Sequence, residues 1–433
     1  MAEPDTWWHV YPLGATGAPI RDPDPELAAA REGDGGDGVV HRLERLLPWV
    51  GHAASLGATG IQLGPVFASA THGYDTLDFD RVDPRLGDES DLRRLFDAAH
   101  AAGLRVMLDG VFNHVGADHP LHRRALGEGP GSEAARLFRI DWSDPGRPRS
   151  ASFEGHAGLV LLNHDDPAVA DLVAGTMIRW LDAGADAWRL DAAYAMDPAF
   201  WPRVLPRVRA AHPGVTVVGE VLHGDYAGIV ERTGMDAVTG YELWKAAWSS
   251  IADRNLFELA WGLDRHGRLL ERFRPMTFVG NHDVTRIASR VGDAGAAVAL
   301  AMVMTVGGTP SIYYGDELGW RGVKQDRLGG DDAVRPQLPG DPMSLPAETW
   351  PMIELHRRLI GLRRRNPWLA DVRTTVRELA NERMTYVSSG AGGAEACVTI
   401  DLAATPRAEI RIGGEVIAVS CAEELGRAGD SDP

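Results

Sequence analysis

Acidic and basic side chains follow directly after several short apolar segments of this sequence. Arg189 and Asp191 close one segment, Glu220 the next and Asp283 a later one. Two carboxyl groups facing one sugar can cleave a glycosidic bond, because one protonates the leaving oxygen while the other attacks the sugar or activates water. A guanidinium two residues before an aspartate on the same strand favours the ionised aspartate. These residue types therefore predict glycosidic bond cleavage.

The spacing of these acids matters more than any one of them, since a single acid is more often a helix cap or a solvated loop charge. Glu220 follows Asp191 by 29 residues and Asp283 follows Glu220 by 63, which is about one and about two strand-helix units. In a parallel barrel all strands end at the same face, where active sites of this architecture are built. The three carboxylates are thus predicted to converge on one mouth.

The elements that would place them there are visible in the hydrophobic pattern. Short apolar runs alternate with stretches of helical periodicity, which indicates strand-helix units around a parallel sheet. Eight strands are predicted, over residues 7–11, 60–64, 104–109, 185–190, 215–219, 236–239, 276–280 and 311–314. The expected fold class is α/β, a (β/α)8 TIM barrel with a small insertion after strand 3 and a C-terminal all-β domain.

Enlarged loops and a change of period set the predicted domain limits. Residues 1–114 and 163–367 form the catalytic barrel, and residues 115–162, rich in glycine, proline and charge, form a small inserted subdomain. A long polar loop from Gly319 to Thr349 follows the eighth strand. Beyond about Trp368 the period becomes two, so residues 368–433 are predicted to form a C-terminal β-sandwich-like domain.

Composition and charge exclude several classes of protein. The 433 residues are 44% hydrophobic and 24% charged, which is typical of a globular chain rather than a disordered or fibrous one. The formal net charge of −17 disfavours phosphate backbones and anionic lipid, so neither nucleic acid nor a membrane is an expected partner. The apolar run Ala294–Val306 is shorter than the roughly 20 residues needed to cross a bilayer and is predicted to be a buried helix.

The cysteines and the first residues bear on the cellular compartment. Cys397 and Cys421 are too few for a disulfide framework or a cysteine-rich metal site, and a single bridge between them stays open. The N-terminal residues contain no basic run and no apolar core of signal-peptide length. This pattern predicts a cytoplasmic protein.

Five motifs stand at or near the predicted strand ends. They are Asp109-Gly-Val-Phe-Asn-His114, Gly184-Ala-Asp-Ala-Trp-Arg-Leu-Asp191, Val218-Gly-Glu220, Phe278-Val-Gly-Asn-His-Asp283 and Gly308-Thr-Pro-Ser-Ile-Tyr-Tyr-Gly-Asp-Glu317. Together they make the sequence resemble the α-amylase family, glycoside hydrolase family 13, from Trp7 to about Trp368. The stretch His72-Gly-Tyr-Asp75, followed by Asp83-Pro-Arg-Leu-Gly87, is similar to the segment after the second strand of that family.

The resemblance implies a role for each predicted catalytic residue. It implies that Asp191 is the nucleophile that forms a β-glycosyl ester. Glu220 would be the acid that protonates the leaving oxygen and then, as a base, activates the acceptor. Asp283 would grip sugar hydroxyls and help to distort the ring. A double-displacement site holds its two carboxyls roughly 5 to 5.5 Å apart and retains the anomeric configuration, so retention is expected.

The resemblance also implies substrate contacts for Tyr74, His114, Arg189, His282, His72 and Arg335. His114 and His282 would hydrogen-bond the sugar on which Tyr74 stacks. Each of these has a structural interpretation too, because packed histidines, core tyrosines and solvated arginines occur in any protein. Asp109 is assigned mainly to structure, as an anchor for loop backbone, and so is the pair Asp316-Glu317.

Two positions depart from the family pattern. Many members bind a structural Ca²⁺ through an asparagine of the third-strand motif and a residue four places after the nucleophile. Asn113 is present, but Ala195 offers no side-chain oxygen, so calcium is doubtful and no cofactor is required. The family often has a tryptophan two places after the acid/base, where this sequence has Leu222 followed by His223. The preference on the leaving-group side is therefore open.

Three functions compete at this point. The leading one is hydrolysis of α-glucosidic bonds in maltooligosaccharides or short α-glucans through a covalent glycosyl-aspartate. The nearest alternative is an α-glucosyl transferase or isomerase, similar to trehalose synthases, which passes the same intermediate to a sugar. The third is a non-catalytic carbohydrate binder, which the presence of all three acids disfavours.

Overall fold

Eight parallel strands form the centre of the protein. The computed structural model describes residues 6–32, 38–144 and 146–420. The strands, numbered β1 to β8 in chain order, are Trp7–Val10, Gly60–Leu63, Arg105–Gly110, Ala187–Leu190, Thr216–Gly219, Ala237–Val238, Met276–Phe278 and Thr309–Tyr313. Their order in the sheet is β6-β5-β4-β3-β2-β1-β8-β7. A parallel bridge between Thr239 and Met276 joins its two outer strands, so the predicted (β/α)8 barrel is confirmed.

Helices surround the barrel and cover its outer face. Those that precede or follow successive barrel strands include Leu47–Leu56, Glu89–Ala101, Pro167–Asp182, Leu205–Ala211, Tyr226–Thr233, Tyr241–Ala252, Leu256–Leu269, Ile287–Thr305 and Trp350–Arg365. Local sequence explains where they begin. Asp88 caps the second of them by a capping box with Asp91, and Asp166 caps the third, which has proline in its first turn. These two helix starts agree with the sequence pattern.

Helix Ile287–Thr305 contains the most apolar run of the chain. It is the one described helix whose length and composition alone would allow a membrane crossing, and 67% of its apolar window is buried in the structure. The backbone leaves helical geometry at Gly292, where φ is 71°. The helix lies between β7 and β8 in the chain and packs in the core, as predicted for a buried helix.

Two excursions rise from the carboxyl ends of the strands. After β2, strands Phe67–Ser69 and Thr76–Val82 form an antiparallel pair. After β3, His114–Gly116 pairs with Leu159–Leu161, and the chain between them contains helix Pro120–Glu128 and the short pair Ile140–Asp141 with Arg149–Ser150. The second excursion occupies the predicted insertion, whose limits at residues 115 and 162 stay predictions.

The C-terminal part is an antiparallel sheet. Its strands, β9 to β13, are Arg373–Leu379, Arg383–Ser389, Glu395–Asp401, Arg407–Ile412 and Glu415–Val419. Within residues 373–419 these strands form one sheet, which packs on a barrel helix rather than on a second sheet. Ser388 Oγ donates to Thr305 O at 2.9 Å across this contact. The all-β prediction is confirmed, and the domain limits stay predictions. Cys421 lies outside the described residues, so the possible bridge between Cys397 and Cys421 stays open.

Candidate active site

Arg189 lies at the centre of a group of acidic side chains in the barrel mouth. Its side chain, on β4, is 3% exposed. Nη1 lies 2.7 Å from both carboxylate oxygens of Asp109 and 3.2 Å from Asp191 Oδ1. Nη2 lies 2.7 Å from Glu220 Oε1. One guanidinium therefore joins acids from the ends of three neighbouring strands, β3, β4 and β5.

Asp191 and Glu220 are neighbours because their strands are in register. Leu190 of β4 is paired with Gly219 of β5, so the next residue of each strand emerges at the same level. Ala192 N donates to Glu220 Oε2 at 3.0 Å, which ties the two loops together. The φ of Ala192 is +47°, in a region that non-glycine residues rarely adopt. Such backbone strain is typical of functional sites, and here it directly follows Asp191.

Burial opposes the ionisation of two of the acids around Arg189. Burial, and then the charge of Glu220, raise the pKa of Asp191 well above its ordinary value against the effect of Arg189. Burial also raises the pKa of Asp109. Arg189 favours the ionised form of Asp191, as expected, but burial and the charge of Glu220 outweigh its effect on the pKa of Asp191.

Asp283 sits in the opposite electrostatic environment. His282 Nε2 lies 2.9 Å from Asp283 Oδ2, and Arg335 Nη2 lies 2.9 Å from Asp283 Oδ1. Burial alone would raise the pKa of Asp283, but the charges of His282 and Arg335 outweigh it and hold the pKa well below its ordinary value. The site therefore holds Asp283 in its ionised form.

Arg335 comes from the long loop after β8 and is built into the wall of the site. Its side chain is 3% exposed, and its Nε donates to His282 O at 3.0 Å. The guanidinium carbon lies 4.6 Å from the ring centroid of Tyr11. Arg335 is thus not a solvated arginine but holds both the backbone of His282 and the carboxylate of Asp283.

Tyr74 connects the two halves of the site. Its ring is stacked on His282, with centroids 5.2 Å apart and planes inclined by 7°. Its hydroxyl contacts His282 Nε2 closely and donates to Asp109 Oδ2 at 3.2 Å. Tyr74 also lines the large cavity of the site, so a ligand there can contact it.

Two more histidines lie beside Tyr74. His114 Nε2 lies 3.1 Å from Tyr74 O, and the ring of His114 is stacked on Phe153 with centroids 4.7 Å apart. Burial lowers the pKa of His114 to about 4, so this residue is a neutral hydrogen-bonding group. His72 Nδ1 accepts from Tyr74 N at 3.2 Å, and burial lowers the pKa of His72 as well.

These residues surround one cavity of about 520 Å³. The predicted site residues that line it are His72, Tyr74, His114, Asp191, Glu220, Asp283 and Arg335. Arg189 and His282 lie beneath them and line a smaller space within the barrel. The volume falls within the roughly 300–1,000 Å³ of ligand pockets, and the structure therefore brings all the predicted residues to one place.

Several further residues of the cavity were not predicted. The hydroxyl of Tyr241 donates to Glu220 Oε1 at 3.3 Å and accepts from Asn281 Nδ2 at 2.8 Å. Tyr241 follows the sixth strand, so its place at a strand end was a usable signal, but β6 has only two residues. Phe153 and Tyr194 come from loops, whose paths no periodicity in the sequence indicates.

The residues assigned to structure divide into two groups. The expectation that Asp109 anchors loop backbone is wrong, because its carboxylate contacts the side chains of Arg189 and Tyr74 within the site. The pair Asp316-Glu317 is structural, as predicted. Asp316 Oδ1 accepts from Arg286 at 2.9 Å, and Glu317 Oε1 accepts from Trp8 Nε1 at 3.0 Å.

Comparison with known proteins assigns the family. A sequence model described as "Alpha amylase, catalytic domain" matches residues 33–147 and 152–339. The chain belongs to the α-amylase family. A debranching enzyme of Nostoc punctiforme has a similar structure, with a TM-score of 0.75 and 26% identity over 92% of this chain and 89% of that one.

Two curated relatives show how far the similarity within the α-amylase family extends. The chain is 32% identical to a cyclomaltodextrinase of Geobacillus thermopakistaniensis over 373 residues, 82% of this chain and 59% of that protein. It is 29% identical to a maltogenic alpha-amylase of Bacillus acidopullulyticus over 386 residues, 84% of this chain and 63% of that protein. The match thus spans about three fifths of the length of these relatives.

The calcium site of many α-amylase family members does not fit the residues found here. The side-chain nitrogen of Asn113 lies 3.1 Å from His114 Nδ1, and Ala195, at the end of the turn Ala193–Ala195, carries only a methyl group. In the described ranges, no three or more His, Cys, Asp or Glu side chains group to hold a metal ion. These two positions therefore do not provide the ligands of that site.

The position that is often tryptophan in the α-amylase family lies at the cavity. Leu222 lines it close to Glu220, together with Tyr194. His223 is exposed, with its ring centroid 6.3 Å from that of Tyr194. This side of the cavity thus offers an aliphatic side chain where an indole would provide a flat stacking surface.

Proposed function

We propose that this chain is a retaining glycoside hydrolase that cleaves α-glucosidic bonds in maltooligosaccharides or short α-glucans. One observation carries the proposal. Asp191 and Glu220 contact the same guanidinium and line one cavity with Asp283. Membership of the α-amylase family supports the reaction, and the names of its cyclomaltodextrinase and maltogenic alpha-amylase relatives support the substrate class.

The reaction proceeds by two displacements at the anomeric carbon. In the first, an Asp191 oxygen attacks that carbon while Glu220 gives its proton to the glycosidic oxygen. The bond to the leaving sugar breaks with its electron pair on that oxygen, and a β-glycosyl ester of Asp191 remains. In the second, Glu220 takes a proton from water as the water oxygen attacks the same carbon. The ester bond breaks, Asp191 regains its charge, and the α anomer leaves.

The acidic cluster around Arg189 supplies the proton for this cycle. Burial and the charge of Glu220 raise the pKa of Asp191, which opposes ionisation of both groups together. In the reactive state Glu220 carries the proton and Asp191 is ionised. Substrate binding places the proton on Glu220, and Arg189, which contacts both groups, stabilises the charge left on Asp191.

The remaining residues bind the sugar at the point of cleavage. Asp283 is ionised and can accept hydrogen bonds from two sugar hydroxyls. Tyr74 and the neutral His114 line the cavity beside Asp283 and would contact the sugar there. His72 lines the outer part of the same cavity. Arg335 acts by holding Asp283 and His282 in place.

An α-glucosyl transferase or isomerase would use the same residues to form the same ester. It differs only in the acceptor, which is a sugar hydroxyl instead of water. Leu222 stands near Glu220 where the family often has tryptophan, and a leucine cannot hold an acceptor sugar by ring stacking. We therefore favour water as the acceptor.

Incubation with maltotriose tests the proposal. We expect release of glucose and maltose, with no saccharide longer than maltotriose. Asp191→Asn should abolish turnover and keep maltotriose binding, measured by calorimetry. Asp264→Asn, which changes a half-exposed aspartate paired with Arg268 on an outer helix, is the matched control and should keep full activity.

Other results of this experiment would change the assignment. Longer or rearranged saccharides from maltotriose would identify a transferase or isomerase. Equal activity of Asp191→Asn and Asp264→Asn would remove Asp191 from the mechanism. No turnover by the unmodified protein on a panel of α-1,4, α-1,6 and α-1,1 glucosides would refute the proposal.

Location and other partners stay predictions from the sequence. The acidic net charge of −17 supports a protein without nucleic acid or membrane partners. The name of an intracellular maltogenic amylase of Bacillus subtilis, a relative of this chain, supports a cytoplasmic location, which fractionation would test.

A further inference from the structure

A second, much smaller cavity lies beneath the active site, inside the barrel. Its volume is about 20 Å³. Polar side chains from different strands line it, including His9 of β1, Gln62 of β2, His282 after β7 and Ser311 of β8. A buried cavity needs about 10–15 Å³ and two to four polar partners to hold a water molecule. The space therefore fits one water molecule.

Two ring nitrogens at this cavity lack a hydrogen-bond partner among the described residues. They are His9 Nε2 and His282 Nδ1. Both residues are buried, with exposed fractions of 3% and 1%. Their rings meet edge to face, with centroids 5.2 Å apart, yet the two nitrogens form no hydrogen bond with each other. Because buried polar groups in native proteins are almost always paired, these two atoms indicate a shared partner.

The protonation of His9 agrees with a small polar partner. Burial, and then the charges of His282 and Arg189, lower the pKa of His9 well below its ordinary value, so His9 is neutral. A neutral imidazole has one donor nitrogen and one acceptor nitrogen. Water can both donate and accept, so one molecule satisfies His9 and His282 whichever of the facing nitrogens carries a proton.

Such a partner at Nδ1 would add to the contacts that orient the ring of His282. It lies between two nearly parallel tyrosine rings, Tyr74 at a centroid distance of 5.2 Å and Tyr11 at 6.0 Å. Stacking fixes the plane of the ring but does not distinguish the two orientations related by a half-turn about the Cβ–Cγ bond. Hydrogen bonds at the ring edges do so, at Nε2, which meets both Asp283 and the hydroxyl of Tyr74, and at Nδ1, which faces the small cavity.

We propose that this cavity binds one structural water molecule, which bridges His9 Nε2 and His282 Nδ1 and makes His9 a positioning residue of the active site. The water holds the His282 ring so that Nε2 meets Asp283. His9 contacts no substrate and acts only through His282. The effect of His9 on turnover rests on the proposed function, whereas the water site itself does not.

A high-resolution crystal structure of the full chain tests the water directly. We expect one density peak within about 2.7–3.2 Å of both His9 Nε2 and His282 Nδ1. An empty cavity, or a direct hydrogen bond between the two rings, would overturn the proposal. This result decides the water site even if the protein turns over none of the glucosides.

Variants of His9 test the positioning role. His9→Leu removes the hydrogen-bonding nitrogen, and we expect kcat for maltotriose to fall about tenfold, since one hydrogen bond is worth about that factor. His9→Gln places an amide near the same point and should restore kcat to within about threefold of the unmodified protein. Its crystal structure should keep the water, which also tests the proposal if His9→Leu does not fold.

A matched control separates positioning from general stability. His266 is another buried histidine, whose Nε2 lies 2.8 Å from Gly307 O, away from both cavities. His266→Leu should lower the midpoint of unfolding and leave kcat of the folded protein unchanged. If His9→Leu also changes only the stability, or if His9→Gln restores no activity, His9 is not a positioning residue.

Discussion

Replacing Arg189 by methionine would leave three buried acids without their shared counter-charge. The exposed fractions of the side chains of Asp109, Asp191 and Glu220 are 0%, 10% and 8%, and that of Arg189 is 3%. Water therefore cannot replace the guanidinium. Methionine is unbranched and apolar, so Arg189→Met removes the charge and keeps most of the packing.

The size of the effect follows from the number of contacts. Removing one partner of a buried ion pair costs about 3–5 kcal/mol, because the remaining charge is left unpaired. Arg189 balances more than one carboxylate, so we expect Arg189→Met to lower the free energy of unfolding by about 4–5 kcal/mol at pH 8. The loss of the cation would raise the pKa of Asp109 and Asp191 further. The folded variant would then bind more protons than its unfolded chain, so its stability rises as the pH falls. At pH 5 we expect the loss in free energy of unfolding to be about half that at pH 8.

Urea unfolding at pH 8 and pH 5, followed by tryptophan fluorescence, measures both numbers. Arg373→Met is the matched control, since Arg373 pairs with Glu271 at the surface and both side chains are more than half exposed. Exposed pairs contribute about 0–1 kcal/mol, so the control should change little at either pH. If Arg189→Met loses no more than the control, or loses the same amount at both pH values, Arg189 does not neutralise a buried acidic cluster.

Three further predictions concern the other groups of the site. Glu220→Gln should lower kcat for maltotriose by about 10²–10⁴-fold and kcat for α-glucosyl fluoride much less, because fluoride leaves without a general acid. Equal losses on the two substrates would contradict the role of Glu220 as the acid. The unmodified protein should lose free energy of unfolding relative to Asp191→Asn as the pH rises, because the raised pKa of Asp191 disfavours the folded state once that carboxyl ionises. Free energies of unfolding, measured in urea, that change in parallel with pH for the two proteins would contradict this. Arg335→Lys should raise KM for maltotriose about tenfold, since an ammonium group cannot hold both His282 O and Asp283, and an unchanged KM would exclude that role.

The barrel was predictable because its strands are short, apolar and regularly separated. The segments containing Gly60, Arg105 and Thr216 were located by hydrophobic period alone, and Asp88 and Asp166 marked two helix starts by their capping chemistry. The same logic placed Asp191, Glu220 and Asp283 at one mouth, since parallel strands end at one face.

The loops and the outer strands of the C-terminal sheet were not predictable in the same way. Strand β9, Arg373–Leu379, is mostly exposed and charged, so it shows little alternation of polar and apolar residues. Phe153 reaches His114 from an excursion whose path depends on long-range contacts. Neither feature has a local pattern from which a position could be inferred.

Protonation was the least predictable property of the site. The motif places Arg189 next to Asp191 and so favours an ionised nucleophile. In the folded protein the same guanidinium lies closer to Asp109 and Glu220, and burial favours the neutral form of Asp191. The balance depends on distances across three strands, which a one-dimensional pattern does not contain.

In the proposed mechanism, Asp191 and Glu220 act on one sugar by two successive inversions. Proton NMR of the first product released from maltotriose, recorded before mutarotation, tests this mechanism most directly. We expect the new reducing end to appear as the α anomer. Initial formation of the β anomer would mean that water attacks the sugar directly, and would contradict a covalent intermediate on Asp191.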